Sequence, residues 1–185
     1  MKRLIGNFTY KQALDMCSYE NELLVKPLQK VYDAKLNSLI EGEDLTVVDY
    51  GGDLGSHYYS ILKQRNIKEW IVVETPMKVK EGKETEVLKF TTEIPKDADI
   101  VLCSGVLQYV PDWRKSLIQL LQTGAKLFIF RRMVFGKEKT QLQKSWLSEN
   151  GGSGGIKDRL IFYPHTTIPK REFKQMIKGV NYVIC

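Results

Sequence analysis

The chain has 185 residues, 43% hydrophobic and 27% charged, a balance that suits one globular domain with a substantial core and makes a second full domain unexpected. No apolar run approaches the roughly 20 residues needed to cross a bilayer, and the opening MKRLIGNFTYKQ lacks a secretory-type apolar segment, so a cytoplasmic protein with no transmembrane segment is expected. Cys17, Cys103 and Cys185 are widely spaced without a CxxC pair, which signals neither a disulfide framework nor a zinc site. The net charge of +6 is uneven: residues 1–125 hold 16 basic and 18 acidic groups, residues 126–185 hold 12 and 4. The basic C-terminal third can attract phosphates, nucleic acid, an anionic membrane surface or an acidic glycan.

Residues 1–43 are expected to form a helical layer. Leu14, Leu23, Leu24, Leu28, Val31, Leu36, Leu39 and Ile40 recur near helical spacing, Pro27 suggests a break, and Gly42 closes the layer. Residues 44–132 form the expected cofactor-binding core. In it Leu45-Thr-Val-Val-Asp49 is a buried β-branched strand, 56–64 a helix, Trp70-Ile-Val-Val-Glu74 a second strand and Val87-Leu-Lys-Phe90 a short third. Asp99-Ile-Val-Leu-Cys-Ser104 follows as a fourth strand, 113–121 as a helix and Lys126-Leu-Phe-Ile-Phe130 as a fifth strand. Residues 133–158 read as irregular, with Gly151-Gly-Ser-Gly-Gly155 of linker composition. Residues 159–185 resume as strand, Pro169-led helix and strand, the last being Asn181-Tyr-Val-Ile184. Continuous apolar strands alternating with helices predict an α/β, Rossmann-like fold, a mostly parallel sheet covered on both faces, with ligands beyond the carboxyl ends of its strands.

The polar motifs fall at those ends. Asp49-x-Gly51-x-Asp53-x-Gly55 makes a glycine-rich turn whose backbone amides can approach a ligand, although it is neither a P-loop nor a full GxGxxG. Glu74, at the end of the second strand, is placed to accept from both hydroxyls of a ribose. Ser104-Gly-Val-Leu-Gln-Tyr-Val-Pro111 follows the fourth strand, with Ser104 and Gly105 beside a cofactor and Gln108 and Tyr109 beside a substrate space.

VVDYGGDLG, the VVE strand end and LCSGVLQYVPD resemble the first, second and fourth motifs of class I S-adenosylmethionine-dependent methyltransferases. More narrowly, DYGGDLGSHYYS, WIVVETP, LCSGVLQYVPD and FRRMVF are similar to a methyltransferase family encoded among bacterial lipopolysaccharide and exopolysaccharide genes, over roughly Tyr10 to Phe135. The resemblance implies a methyltransferase fold, S-adenosylmethionine as cofactor, and cofactor contacts at Asp49, Gly51, Gly52, Gly55, Glu74, Thr75, Ser104 and Gly105. Asp53 departs from the family's middle glycine and puts a carboxylate where it can bind the methionine ammonium. The chain also stops at its sixth strand, without the fold's antiparallel hairpin partner.

Methyl transfer depends mainly on positioning and electrostatics. A hydroxyl acceptor further needs a base, for which His57, His165 and Asp53 are candidates, with Tyr109 a further catalytic candidate. Tyr58, Gln108, Arg131 and Arg132 are expected on the substrate side, the arginines favouring a small anionic or glycan acceptor. A nucleic-acid methyltransferase is the alternative that the basic third supports, although no Asn-Pro-Pro-Tyr-like base-flipping segment follows the fourth strand. An inert domain that keeps the fold for binding or assembly is another.

Overall fold

The computed structural model describes residues 3–17, 31–150 and 158–185. Its centre is a six-stranded parallel sheet made by β2 (Leu45–Tyr50), β3 (Ile67–Val73), β4 (Leu88–Thr91), β5 (Ile100–Ser104), β6 (Leu127–Arg131) and β9 (Tyr182–Ile184). The strand order is β4-β3-β2-β5-β6-β9, so the winding reverses between β2 and β5. That reversal opens the crevice where α/β sheets of this kind bind ligands.

Alternation along the strands supplies one core on each side. Val48, Val101, Cys103, Phe128 and Phe130 pack on one face against α5 (Trp113–Leu121) and α6 (Lys170–Met176). Val47, Trp70, Val72, Ile100, Leu102 and Ile129 pack on the other with Ile61 and Leu36 of α2 (Ala34–Leu39). In α5 the buried residues Trp113, Ser116, Leu117 and Leu120 follow helical spacing, and the Asp112 carboxylate caps the first turn by accepting from Lys115 N at 3.0 Å. Two short helices border the crevice: α3 (Ser56–Tyr59) after β2, and α4 (Pro76–Glu81) after β3.

A second, antiparallel sheet of order β1-β7-β8 joins β1 (Arg3–Phe8) to the hairpin strands β7 (Lys139–Trp146) and β8 (Leu160–Thr167), which are inserted between β6 and α6. Leu147, Ile161 and Tyr163 form its small core with Cys17 and Tyr109. It therefore rests on the segment after β5, and α1 (Tyr10–Asp15) lies against it, where the Tyr10 hydroxyl donates to Tyr109 O at 2.6 Å.

The strands of the core region agree with expectation to within a few residues. Three corrections stand elsewhere. The helical N-terminal layer is instead a strand and two short helices among the described residues, with Leu23, Leu24, Pro27 and Leu28 lying outside them. The helix over 56–64 stops at Tyr59, where Ser60 turns its hydroxyl back to His57 O at 2.7 Å, and a 3-10 turn occupies Gln64–Asn66. The irregular segment contains strand β7, whose buried residues Gln141, Gln143 and Ser145 are polar and so escape any search for apolar alternation; Gly151–Gly155 lies outside the described residues. No helix among the described residues is long and apolar enough to cross a membrane.

Phe173 ties the sheet to its helical cover: it is fully buried, with its ring centroid 5.0 Å from Phe130, 5.3 Å from Phe135 and 6.4 Å from Trp113. Phe173→Ala is expected to cost about 3–5 kcal/mol, read from the denaturant midpoint at unchanged slope.

Candidate functional site

The turn after β2 is shaped by what it packs against. Gly51 has φ +69°, and a Cβ there would lie 2.6 Å from Val106 Cγ2, so the turns after β2 and β5 meet side on. A Cβ on Gly52 would fall 2.5 Å from Asp49 Cγ, and one on Gly55 (φ +81°) 3.0 Å from Leu88. Gly51 and Gly52 are thus required by neighbours in the chain itself, and Gly55 by its left-handed backbone.

Asp49, at the end of β2, is wholly buried and needs donors to stay in the core. Among the described residues Trp70 Nε1 donates to Oδ2 at 3.2 Å, and His57 Nδ1 lies 3.1 Å from each carboxylate oxygen. Burial works against the charged imidazole, as do Arg131 and Arg132, yet the charge of Asp49 and its hydrogen bond hold the His57 pKa above the ordinary histidine range. The His57 side chain keeps 16% of its exposure.

Glu74, just past β3, accepts from Asp53 N at 3.2 Å and from Thr75 N at 2.8 Å, one bond on each carboxylate oxygen. Burial raises its pKa against those two bonds. Asp53 stands in left-handed backbone at φ 54° and forms a 2.6 Å ion pair with Lys78 of α4, a lysine only 5% exposed. Lys78 was not anticipated from sequence, since a lysine in a helix carries no signal of burial.

At the far side of the crevice Ser104 is buried and accepts from Arg132 Nε at 3.1 Å, while Gly105 turns the chain in left-handed backbone at φ +69°. Arg131 donates to Asp33 at 2.6 Å, and Gln108 Nε2 donates to Arg132 O at 3.2 Å. Both arginines expected to clamp an acceptor are already engaged inside the chain.

The remaining candidates lie elsewhere. Tyr58 packs on Tyr59 and Trp70 in the core cluster, with centroids 5.1 and 5.8 Å away. Tyr109 belongs to the interface with the antiparallel sheet: its ring meets Tyr163 and His165 edge to face, and its hydroxyl donates to Gln143 Oε1 at 3.3 Å. Burial pushes the Tyr109 phenol up to about 12, so it remains a hydrogen-bond donor near neutrality. His165, expected in a loop, sits buried within β8. The structure therefore brings together Asp49, Asp53, His57, Glu74 and, across β5 and β6, Ser104 with the two arginines; it leaves Tyr58, Tyr109 and His165 in packing roles. Among the described residues no cluster of three or more His, Cys, Asp or Glu is arranged to hold a metal.

Comparison with protein-family models, with curated proteins and with solved structures gives no match.

Gly51→Ala is expected to destabilise the fold by about 2–4 kcal/mol, from the left-handed backbone and the overlap with Val106 together. Adding Val106→Ala removes the Cγ2 contact but leaves Cβ 2.8 Å from the new methyl group, so it should recover only part of that loss, a coupling that a double-mutant cycle of unfolding free energies reads directly.

Proposed function

We propose that the chain is an S-adenosylmethionine-dependent methyltransferase acting on a sugar or another small acceptor, as in cell-surface polysaccharide biosynthesis. Glu74 is the observation that carries this: an acidic side chain anchored by two backbone N–H groups at the end of β3, one strand from the reversal in winding. Each of its oxygens retains a lone pair for a ribose hydroxyl. The resemblance of VVDYGGDLG and LCSGVLQYVPD to methyltransferase motifs supplies the choice of cofactor. S-adenosylmethionine, when bound, supplies an electrophilic methyl group on a sulfonium.

The residues suit the two halves of that cofactor unequally. Glu74 and Thr75 would hold the ribose, and Ser104 and Gly105 would border it. Asp53 already balances Lys78, so a methionine ammonium must compete with a buried lysine for that carboxylate. Arg131 and Arg132 are engaged with Asp33 and Ser104, which argues against an anionic acceptor. A fold kept without a cofactor is the second reading, favoured by Lys78 closing on Asp53 and by Val106 seated against Gly51.

Calorimetry with S-adenosylmethionine and S-adenosylhomocysteine separates the two. Binding heat is expected, and Glu74→Ala should weaken it about 10- to 100-fold through the lost charge-assisted hydrogen bonds. The absence of both heat and thermal shift at millimolar cofactor would sink the methyltransferase reading.

A further inference from the structure

The resemblance makes Asp49 a cofactor contact, but its surroundings suit a different task. Its carboxylate is fully buried, accepts from His57 and Trp70, and is roofed by Gly52 so closely that a Cβ there would fall 2.5 Å from Oδ2. A carboxylate enclosed in this way acts on a ligand through its neighbours. With Nδ1–H directed at the Asp49 carboxylate, the neutral imidazole carries its lone pair on Nε2. His57 belongs to the first turn of α3, which starts from Gly55 at the carboxyl end of β2.

We propose that Asp49 and His57 form a proton-accepting pair at the mouth of the crevice, with His57 as the base and Asp49 as its positioning residue. The reaction it serves rests on the methyl-transfer reading; the pair itself does not. The pair implies a protic acceptor, such as a hydroxyl. As the acceptor oxygen bonds to the methyl carbon and the carbon–sulfur bond breaks, its electrons staying on sulfur, the hydroxyl proton passes to Nε2 and then to water. A neutral ether and a neutral thioether result, and the imidazole is regenerated.

Among the described residues, charged groups on three elements act on His57. Asp49 of β2 and Asp33 at the head of α2 favour the imidazolium, while Arg131 and Arg132 at the end of β6 oppose it. With Asp49 removed, burial and the two arginines dominate, so the ring should become harder to protonate than a free imidazole.

The chain contains only two histidines, His57 and His165, so their ring protons can be followed individually by NMR. His57 is expected to titrate above the ordinary value near 6.5, and Asp49→Asn should carry that midpoint below it. Diethyl pyrocarbonate, which attacks the unprotonated ring nitrogen, should modify His57 with the same pH midpoint.

Linkage has a fixed sign here. Because folding raises the His57 pKa, the pair's contribution to stability is complete below the unfolded value and is lost as pH rises through the folded one. The gap in unfolding midpoint between the native chain and His57→Gln should therefore narrow as pH rises from about 6.5, the ordinary histidine value, through the midpoint that NMR gives for the folded chain, a test that holds even if Asp49→Asn does not fold. An unshifted His57 midpoint, one indifferent to Asp49→Asn, or a His57 inert to the reagent overturns the proposal. Loss of S-adenosylhomocysteine heat alongside a raised, Asp49-dependent midpoint overturns the cofactor reading and leaves the pair standing.

Discussion

The structure turns on one buried carboxylate. Asp49 ends the central strand of the parallel sheet with no exposed surface, and an ionised group there is tolerated only while hydrogen-bond donors surround it. Its requirements run outward through the turn. Residue 52 must lack a side chain, α3 must begin at once so that His57 reaches back, and the indole of Trp70 must face across from β3. Removing one donor from such a group typically costs several kcal/mol, about 3–5 where a buried ion pair is broken. The crevice is thus held in shape by the same contacts that make His57 more basic.

A second constraint comes from the opposite wall. The segment after β5 is held by the antiparallel sheet through Tyr109, whose backbone carbonyl is fixed by Tyr10, whose phenol reaches Gln143 and whose ring meets Tyr163 and His165. Gln143 Nε2 in turn donates to the Tyr163 hydroxyl at 2.6 Å. Interlocked polar groups of this kind give a specific fit where an apolar seam would allow sliding. Val106 lies on the same anchored segment, its carbonyl accepting from Tyr109 N at 2.8 Å, and its side chain closes against Gly51.

How much of this was legible depended on what each residue buries. The central strands were plain, because Val47-Val48 and Ile100–Cys103 are apolar runs and sheet position follows from alternation with helices. Strand β7 was hidden, since its buried face consists of glutamines and serine held by partners that only the fold supplies. Glu74 could be singled out from its place at a strand end, and His57 from its nearness to the glycine turn. Their partners were not: Trp70 counted as an apolar strand residue although its indole N–H serves Asp49, and Lys78 and Asp33 gave no sign that they neutralise Asp53 and Arg131. Pairings of this sort are made by tertiary contact alone, and no local pattern encodes them.

The place of the β7–β8 hairpin in the chain also has a consequence for the order of assembly. It is inserted between β6 and α6, so β9 can pair with β6 only after the chain has travelled out through the second sheet and back. Closing a longer loop adds only about 0.6 kcal/mol for each doubling of its length, which leaves the equilibrium nearly untouched. Its effect is expected on time: strands paired across so long a separation meet slowly, and a β6 edge left unpaired would be a template for another strand.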